Sequence, residues 1–256
     1  MTAIQVTDAT ALVTGASRGL GRGIAAALAS TGAQVIGVAR SAAPLAEVRA
    51  ELGDAFTAVT ADAADPVTAG ELIDAYRPTI LVLNAGASPL GRPLHHHSWE
   101  TFSRNWDVDV KQAFHWTREA LLAPLAPGSA VITLSSGAAV FGSPLSGGYA
   151  GAKAAIRFLT SYAAEESERA SLGIRFASVL PKLTPVTDLG ARAVAAYAAR
   201  AGADVASYAQ SMGPAVTPEH AGKAVIDLLS VTVPEADSYL LTPGGLVPLK
   251  QPAPNS

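Results

Sequence analysis

Short apolar runs alternate along this chain with longer segments of helical periodicity. Residues 79–83 (TILVL) form a near-continuous apolar run, which is typical of a strand buried on both faces of a parallel sheet. Between such runs lie helical patterns, for example residues 20–28, in which Leu20, Ile24 and Leu28 share one face. The alternation predicts an α/β fold in which one doubly wound parallel sheet carries helices on both faces.

The pattern predicts seven strands, at residues 11–13, 34–39, 56–60, 79–83, 129–134, 173–180 and 238–242. Glycines and a proline between residues 137 and 148 predict a loop there. Residues 182–216 break the alternation with an Ala-rich helical stretch at 189–210, so we expect an insertion that covers the ligand crevice as a lid. No linker or repeat divides the chain, and residues 1–256 are predicted to be a single domain.

The composition excludes several classes of protein. The 256 residues carry a net charge of −3 with no basic cluster, so no nucleic-acid partner is expected. No run approaches the roughly 18 apolar residues of a membrane span, and the first residues lack the features of a signal peptide. A soluble, cytoplasmic protein without membrane contact is therefore expected. The tail after Pro248 is polar and is expected to be loosely ordered.

No metal site is predicted. The chain contains no cysteine, which excludes disulfides and thiolate ligands. His95, His96 and His97 are consecutive, so their side chains diverge and cannot ligate one ion well. We expect them in a solvated loop, followed by a helix with Ser98 as its N-cap and an interruption at residues 107–110.

A glycine-rich turn links the first predicted strand to the first helix, and a second strand follows within about 30 residues. In this setting, glycines let the backbone approach a pyrophosphate, and the helix N-terminus supplies N–H donors. The turn therefore predicts nucleotide binding. The residues expected to contact the nucleotide here are Gly15, Ser17, Arg18, Gly19, Leu20 and Gly21.

Arg40 directly follows the second strand, where many NAD-binding folds place an acidic residue that pairs with the ribose 2′-hydroxyl. No carboxylate is available there, and Arg18 can converge on the same place. Because guanidinium groups suit phosphate oxygens, the two arginines favour NADP(H) over NAD(H). The alternative is that both are ordinary surface arginines.

Two other strand ends carry polar residues. Asp62 and Ala63 follow the third strand, and Asp62 is either an acceptor for an adenine amino group or a turn aspartate. Asn84, Ala85 and Gly86 follow the fourth strand and let the chain pass close to a ligand or to a neighbouring strand. Both sets are candidates for cofactor binding.

Tyr149 and Lys153 are separated by four positions at the start of a helical segment, so they lie on one face, one turn apart. The ammonium group of Lys153 favours the phenolate form of Tyr149. Such a tyrosine can exchange a proton with a carbonyl oxygen near neutral pH. By itself this spacing is common, and a packed tyrosine beside a solvated lysine is the alternative.

The position of these motifs on the sheet favours a functional interpretation. The glycine-rich turn, Arg40, Asp62, Ser136 and Pro181 all lie just past the carboxyl ends of predicted strands. In open parallel sheets, ligands bind at this edge. Tyr149 begins the helix that follows Ser136, so it can reach the same edge.

Together these residues resemble the short-chain dehydrogenase/reductase family. The resemblance rests on residues 14–21 (TGASRGLG), on residues 84–86 (NAG), on Ser136 and on the Tyr149-x-x-x-Lys153 motif, in the family's order and spacing. It extends from about residue 11 to residue 245. It implies a seven-stranded Rossmann-type sheet, a nicotinamide cofactor and hydride transfer between that cofactor and a carbonyl or alcohol.

The resemblance also implies residue roles. Tyr149 would exchange the proton with the substrate oxygen, Lys153 would hold the nicotinamide ribose, and Ser136 would donate a hydrogen bond to the carbonyl oxygen. Pro181 would lie beside the nicotinamide, with Thr184 or Thr187 near its carboxamide. Family members are commonly tetramers or dimers, and the apolar residues available for such contacts, or for the core, are Phe114, Trp116, Phe158 and Tyr162.

Two positions depart from the family pattern. Asp109 stands where the family usually has an asparagine, and its carboxylate is expected to accept from a water molecule or to pair with Lys153. Such a pair would raise the pKa of Lys153 and partly cancel its effect on Tyr149, giving a slower or pH-shifted enzyme. Lys182 stands where the family usually has the glycine of a Pro-Gly pair.

The sequence therefore predicts an NADP(H)-dependent ketoreductase or alcohol dehydrogenase that acts on a small or medium, largely apolar carbonyl substrate. One alternative is a cofactor-binding regulatory or scaffold protein with the same fold. Another is an isomerase or dehydratase built on that fold.

Overall fold

The computed structural model describes residues 3–249 and contains one eight-stranded sheet, ordered β3-β2-β1-β4-β5-β6-β7-β8. All neighbouring strands are parallel except β8, which pairs antiparallel with β7. The strands are β1 (Thr10–Thr14), β2 (Gln34–Ala39), β3 (Phe56–Thr60), β4 (Ile80–Leu83), β5 (Ala130–Leu134), β6 (Arg175–Pro181), β7 (Ser238–Thr242) and β8 (Gly245–Pro248). The predicted α/β class is confirmed, with β8 in addition to the seven strands expected.

Helices cover both faces of the sheet. They are α1 (Gly19–Ser30), α2 (Ala42–Leu52), α3 (Pro66–Tyr76), α4 (Trp99–Asn105), α5 (Lys111–Leu122), α6 (Ala138–Phe141), α7 (Tyr149–Arg169), α8 (Asp188–Ala201), α9 (Val205–Ser211) and α10 (Pro218–Ser230). No helix within residues 3–249 is long and apolar enough to cross a membrane.

The central strands form two core layers because adjacent residues of a strand face opposite sides. Leu12 lies in the layer that contains Trp116 of α5, whereas Val13 lies in the layer that contains Leu228 of α10. Every residue of β4, β5 and β6 is buried. This double burial explains why β4 appears in the sequence as a continuous apolar run.

The segment between α4 and α5 is a π-helical turn, Trp106–Val110, which accounts for the interruption expected at residues 107–110. Such turns add a residue to a helix without ending it and often occur at functional sites. The predicted Ser98 cap is also confirmed, because Thr101 N–H donates to the Ser98 hydroxyl oxygen at 3.3 Å. The helix is therefore fixed at its start and widened where it carries Asp109.

Two predictions about connecting segments were wrong in detail. The expected loop at 137–148 contains the short helix α6, and the single helical stretch expected at 189–210 is two helices, α8 and α9. Gly202, with a φ of +63°, ends α8, and the Asp204 carboxylate caps α9. The expected loosely ordered tail falls on residues 250–256, outside the described residues.

Candidate active site

One cavity of about 880 Å³ opens along the carboxyl edge of the parallel strands. Nearly all the site residues predicted from the sequence line this cavity. Its lining includes Gly15, Ser17, Arg18, Gly19, Leu20, Arg40, Asp62, Ala63, Asn84, Ala85, Gly86, Asp109, Ser136, Tyr149, Lys153, Pro181 and Thr184.

Gly21 is the exception, because it is buried beneath the turn and does not line the cavity. A Cβ at this position would overlap the carbonyl oxygen of Gly15 and the side-chain amide of Asn84. Gly21 is therefore required for the close approach of α1 to the turn, and its direct contact with a cofactor stays a prediction.

Asn84 holds the glycine-rich turn against β4. Its side-chain amide donates to the carbonyl oxygens of Thr14 and Gly15, at 3.1 and 3.2 Å. The Thr14 hydroxyl accepts from the backbone N–H groups of Asn84 and Ala85 and donates to the side-chain oxygen of Gln112. Gln112 in turn donates to the Ala85 carbonyl oxygen at 3.1 Å. Thr14 and Gln112 are supporting residues that the sequence motifs did not indicate.

At the other end of the cavity lie Arg18, Arg40 and Asp62, all exposed. Arg18 forms an ion pair with Asp188, the first residue of α8, at 3.4 Å. Asp62 accepts a hydrogen bond from the backbone N–H of Ala64 at 3.0 Å, as a turn aspartate does. Two guanidinium groups therefore border this end of the cavity, and no carboxylate directly follows β2.

Lys153 lies at the opposite end and is almost completely buried. Its ammonium group is 3.2 Å from the carboxylate of Asp109, donates to the Leu134 carbonyl oxygen at 3.0 Å and lies 5.6 Å from the centre of the Tyr149 ring. Burial alone would lower the pKa of Lys153, but the Asp109 carboxylate and the Tyr149 phenol raise it above its ordinary value. Lys153 therefore remains a cation at neutral pH, and the expected pairing with Asp109 is confirmed.

The other oxygen of the Asp109 carboxylate faces the loop after β4. It accepts hydrogen bonds from the backbone N–H of Ala87 at 2.7 Å and from the side-chain amide of Asn105 at 3.3 Å. Asn105 also donates to the Ala87 carbonyl oxygen at 2.7 Å. Asp109 is thus fixed between Lys153 and a backbone loop, and Asn105 is a further supporting residue that the sequence did not indicate.

Ser136 and Tyr149 are positioned by the two elements that carry them. Ser136 lies just after the end of β5. Its hydroxyl oxygen accepts a hydrogen bond from the Ala138 N–H at 3.2 Å. Tyr149 begins α7, and the neighbouring Ser135 hydroxyl donates to the Lys153 carbonyl oxygen at 2.7 Å. This bond ties α7 to β5, so the serine and tyrosine face the same cavity.

Residues of the predicted lid segment, 182–216, line the mouth of this cavity. The Tyr197 hydroxyl contacts the hydroxyl of Ser143, which lies beyond Ser136 in the chain. Thr187 caps α8 through a bond from the Gly190 N–H, and the buried Thr184 hydroxyl donates to the Val216 carbonyl oxygen at 2.6 Å. The hydroxyl of Thr184 is therefore engaged within the segment itself.

The three histidines lie apart from the cavity, and no group of three potential metal ligands occurs in the described part of the chain. His95 and His96 are exposed, as expected. His97 is not solvated as predicted: its ring is half-buried, packs over Gly147 and lies 3.2 Å from the Arg92 carbonyl oxygen. Its ring therefore packs against the loop that precedes Tyr149.

The donor set fits a nicotinamide dinucleotide. The N-terminus of α1 opens onto the cavity at Gly19, where φ is +55° and a Cβ would meet only Thr187, at 3.7 Å. Backbone N–H groups at such a helix end suit a diphosphate. Arg18 and Arg40 border one end of the cavity, and guanidinium groups suit phosphates. The buried Lys153 ammonium borders the other end, where it suits the hydroxyl groups of such a molecule.

Comparison with known proteins agrees with this geometry. Residues 9–198 match the family model described as short chain dehydrogenase. The chain therefore belongs to the short-chain dehydrogenase family of nicotinamide-dependent oxidoreductases.

Its relatives cover most of the chain. It is 32% identical over 231 residues to the cis-4-hydroxycyclohexanecarboxylate dehydrogenase of Sinomonas cyclohexanicum, across 86% of this chain and 88% of that protein. It is 35% identical over 173 residues to a short-chain type dehydrogenase/reductase of Picea abies, across 61% of this chain and 64% of that protein's length.

Two solved structures resemble the fold. A 3-ketoacyl-(acyl-carrier-protein) reductase from Brucella melitensis, complexed with NADH, is 25% identical, with a TM-score of 0.73 over 89% of this chain and 92% of that one. Levodione reductase is 23% identical, with a TM-score of 0.78 over 88% and 91%.

Proposed function

We propose that this protein is an NADP(H)-dependent oxidoreductase that reduces a small or medium, largely apolar ketone, with Tyr149 as the proton donor. The observation that carries the proposal is the buried Lys153 ammonium, 5.6 Å from the Tyr149 ring centre. Both groups line the cavity that the glycine-rich turn also lines.

Each residue has a distinct task in this proposal. When bound, the reduced nicotinamide supplies the hydride that is added to the carbonyl carbon. Ser136 donates a hydrogen bond to the carbonyl oxygen where negative charge develops. Tyr149 transfers its phenolic proton to that oxygen, and Lys153 stabilises the phenolate that remains. The apolar walls exclude water while the charge moves.

The experiment is to measure NADPH oxidation by the purified protein with a panel of ketones and to identify the alcohol formed. Turnover with formation of the corresponding alcohol supports the proposal. Tight NADPH binding without turnover of any ketone would favour a cofactor-binding protein instead. The Asp109–Lys153 ion pair gives that second candidate some support, because it neutralises part of the charge that activates Tyr149.

The preference for NADP(H) rests on Arg40 and Arg18. Replacing Arg40 with alanine is expected to raise KM for NADPH by about tenfold or more, because a guanidinium–phosphate contact is lost. KM for NADH should change little. Steady-state kinetics with both cofactors measure the difference.

Arg49→Ala is the matched control, because Arg49 on α2 is paired with Asp54 at 2.8 Å and lies outside the cavity. Equal changes in KM for NADPH in the two variants would contradict a role for Arg40 in phosphate binding.

We also propose that a second copy of this chain covers an apolar surface on α5 and α7, giving a dimer or tetramer. Phe114, Phe158 and Tyr162 are 46%, 53% and 57% exposed, whereas Trp116 is completely buried in the core. The rings of Phe158 and Tyr162 are 6.1 Å apart and form a continuous surface. Contiguous exposed apolar side chains of this kind often mark a protein interface.

Phe158→Glu is expected to convert the oligomer to a monomer, because the carboxylate would be buried without a partner. Light scattering coupled to size-exclusion chromatography measures the mass. Val67→Glu, at a 59% exposed position on α3, should leave the oligomer intact. A wild-type protein that is monomeric at micromolar concentration would refute the interface.

A further inference from the structure

Acidic residues are unevenly distributed along the cavity. Three aspartates occur among its described lining residues: Asp62, Asp109 and Asp188. Asp62 lies at the arginine end, Asp109 is paired with Lys153, and Asp188 is paired with Arg18. The part of the cavity beyond Ser136 and Tyr149, where a substrate would lie, therefore has no carboxylate among the residues that the structure describes.

Lys182 is an exposed residue in the lining of this cavity. Its backbone is fixed at the end of β6 by a hydrogen bond from its N–H to the Leu241 carbonyl oxygen at 3.0 Å. The Lys182 Cα lies 3.8 Å from where a Cβ would be placed on Gly137, the residue that directly follows Ser136. Within residues 3–249 the Lys182 ammonium forms no ion pair and no hydrogen bond.

A second cation lines an adjoining cavity. Arg192 of α8 lines a smaller adjoining cavity of about 50 Å³, which shares Ser143 and Tyr197 with the main one. This adjoining cavity also has no acidic residue in its described lining. The remaining walls of the substrate region are largely apolar and include Phe141, Leu183, Val186, Leu189, Ala193 and Met212.

We propose that the substrate is a carbonyl compound with an apolar body and a carboxylate group, and that this carboxylate binds the ammonium of Lys182. The inference rests on the proposed function, because it assumes that the carbonyl group lies at Ser136 and Tyr149. A cation that has no protein partner attracts an anionic ligand, and Arg192 adds to the positive potential that guides the ligand in. The carboxylate is unchanged in the reaction, which adds a hydride to the carbonyl carbon and a proton to its oxygen.

The test compares ketones that differ only in charge. 4-Oxocyclohexanecarboxylate and 5-oxohexanoate are each assayed with NADPH beside their methyl esters. The wild-type protein is expected to prefer the acid by up to about fivefold in kcat/KM, because Lys182 is exposed and water screens its interaction with a carboxylate. The preference should decrease at high ionic strength, since salt screens the interaction.

Variants of Lys182 assign the preference to this residue. In Lys182→Met the preference for the acid should disappear with KM for NADPH unchanged, and Lys182→Arg should restore most of it. Lys223→Met is the matched control, because Lys223 lies on α10, is paired with Asp227 at 2.7 Å and is outside both cavities.

Equal kcat/KM for acid and ester in the wild type would overturn the inference and leave the proposed function intact. A raised KM for NADPH in Lys182→Met, with the acid preference retained, would also overturn it, because Lys182 would then serve the cofactor.

Calorimetry separates this inference from the question of turnover. Titration of each acid and ester into the protein saturated with NADP⁺ measures binding alone. Binding of the acid but not the ester, lost in Lys182→Met, supports the inference even if no ketone is reduced. Absence of acid binding to the wild-type protein overturns it.

Discussion

Replacing Tyr149 with phenylalanine is expected to lower kcat for ketone reduction by about a thousandfold. The substitution removes the phenolic proton but keeps the ring that Lys153 faces at 5.6 Å. NADPH affinity and the melting temperature should therefore change little. Steady-state kinetics, NADPH titration by fluorescence and a thermal melt measure the three quantities on one protein preparation.

Tyr76→Phe provides a control for Tyr149→Phe, because it removes a tyrosine hydroxyl from α3, outside both the cavity and the proposed interface. Its kcat should equal that of the wild type. If Tyr149→Phe retained more than about a tenth of wild-type activity, another group would have to donate the proton, and the role given to Tyr149 would be wrong.

Replacing Asp109 with asparagine is expected to shift the pH–rate profile to lower pH by about one unit or more. The carboxylate lies 3.2 Å from the Lys153 ammonium and raises the pKa of that group against the effect of burial. Without it, burial is no longer offset and the Lys153 ammonium loses its proton at lower pH. The alkaline limb of the profile therefore moves to lower pH.

The same variant should be more sensitive to alkaline unfolding. The pKa of Lys153 is raised in the folded protein above its ordinary value of 10.5, so the folded state binds this proton more tightly than the unfolded chain. That contribution to stability is complete below about pH 10.5 and is lost as the pH rises through the folded-state pKa. In Asp109→Asn the loss should begin at lower pH, as measured by urea unfolding at a series of pH values.

Asp107→Asn is the control for both measurements, because Asp107 is an exposed carboxylate in the same π-helical turn. It should leave the profile and the alkaline stability unchanged. Asp109→Ala removes the partner of a buried charge completely and should lower the free energy of unfolding by about 3–5 kcal/mol. An unchanged pH–rate profile and kcat in Asp109→Asn would refute the influence of the ion pair on catalysis.

Much of this site could be predicted because it follows from the topology of a parallel sheet. The carboxyl ends of parallel strands meet at one edge, so Arg40, Asp62, Asn84 and Ser136 had to lie near one another once their strands were recognised. The pairing of Asp109 with Lys153 could also be anticipated, because each belongs to a motif of known relative position.

The supporting residues could not be predicted, since their roles depend on the register of distant elements. Gln112 meets Thr14 across 98 positions of sequence, and no local pattern distinguishes it from other glutamines on a helix. Asn105 meets the Ala87 carbonyl oxygen across 18 positions of sequence, and its contact with Asp109 matters only because both residues bind that loop. The strand β8 escaped prediction because it is short, only half-buried and begins at the second glycine of a Pro-Gly-Gly turn.

The ion pair between Arg18 and Asp188 couples cofactor binding at the glycine-rich turn to the position of α8. In the proposed NADP(H) complex, a 2′-phosphate bound by Arg18 would break the ion pair between Arg18 and Asp188 of α8. By thermodynamic reciprocity, a substrate that displaces α8 strengthens the hold of Arg18 on that phosphate by the same factor. Both side chains are 68% exposed, so the pair contributes at most about 1 kcal/mol. The two ligands can therefore assist one another through this contact by no more than about fivefold.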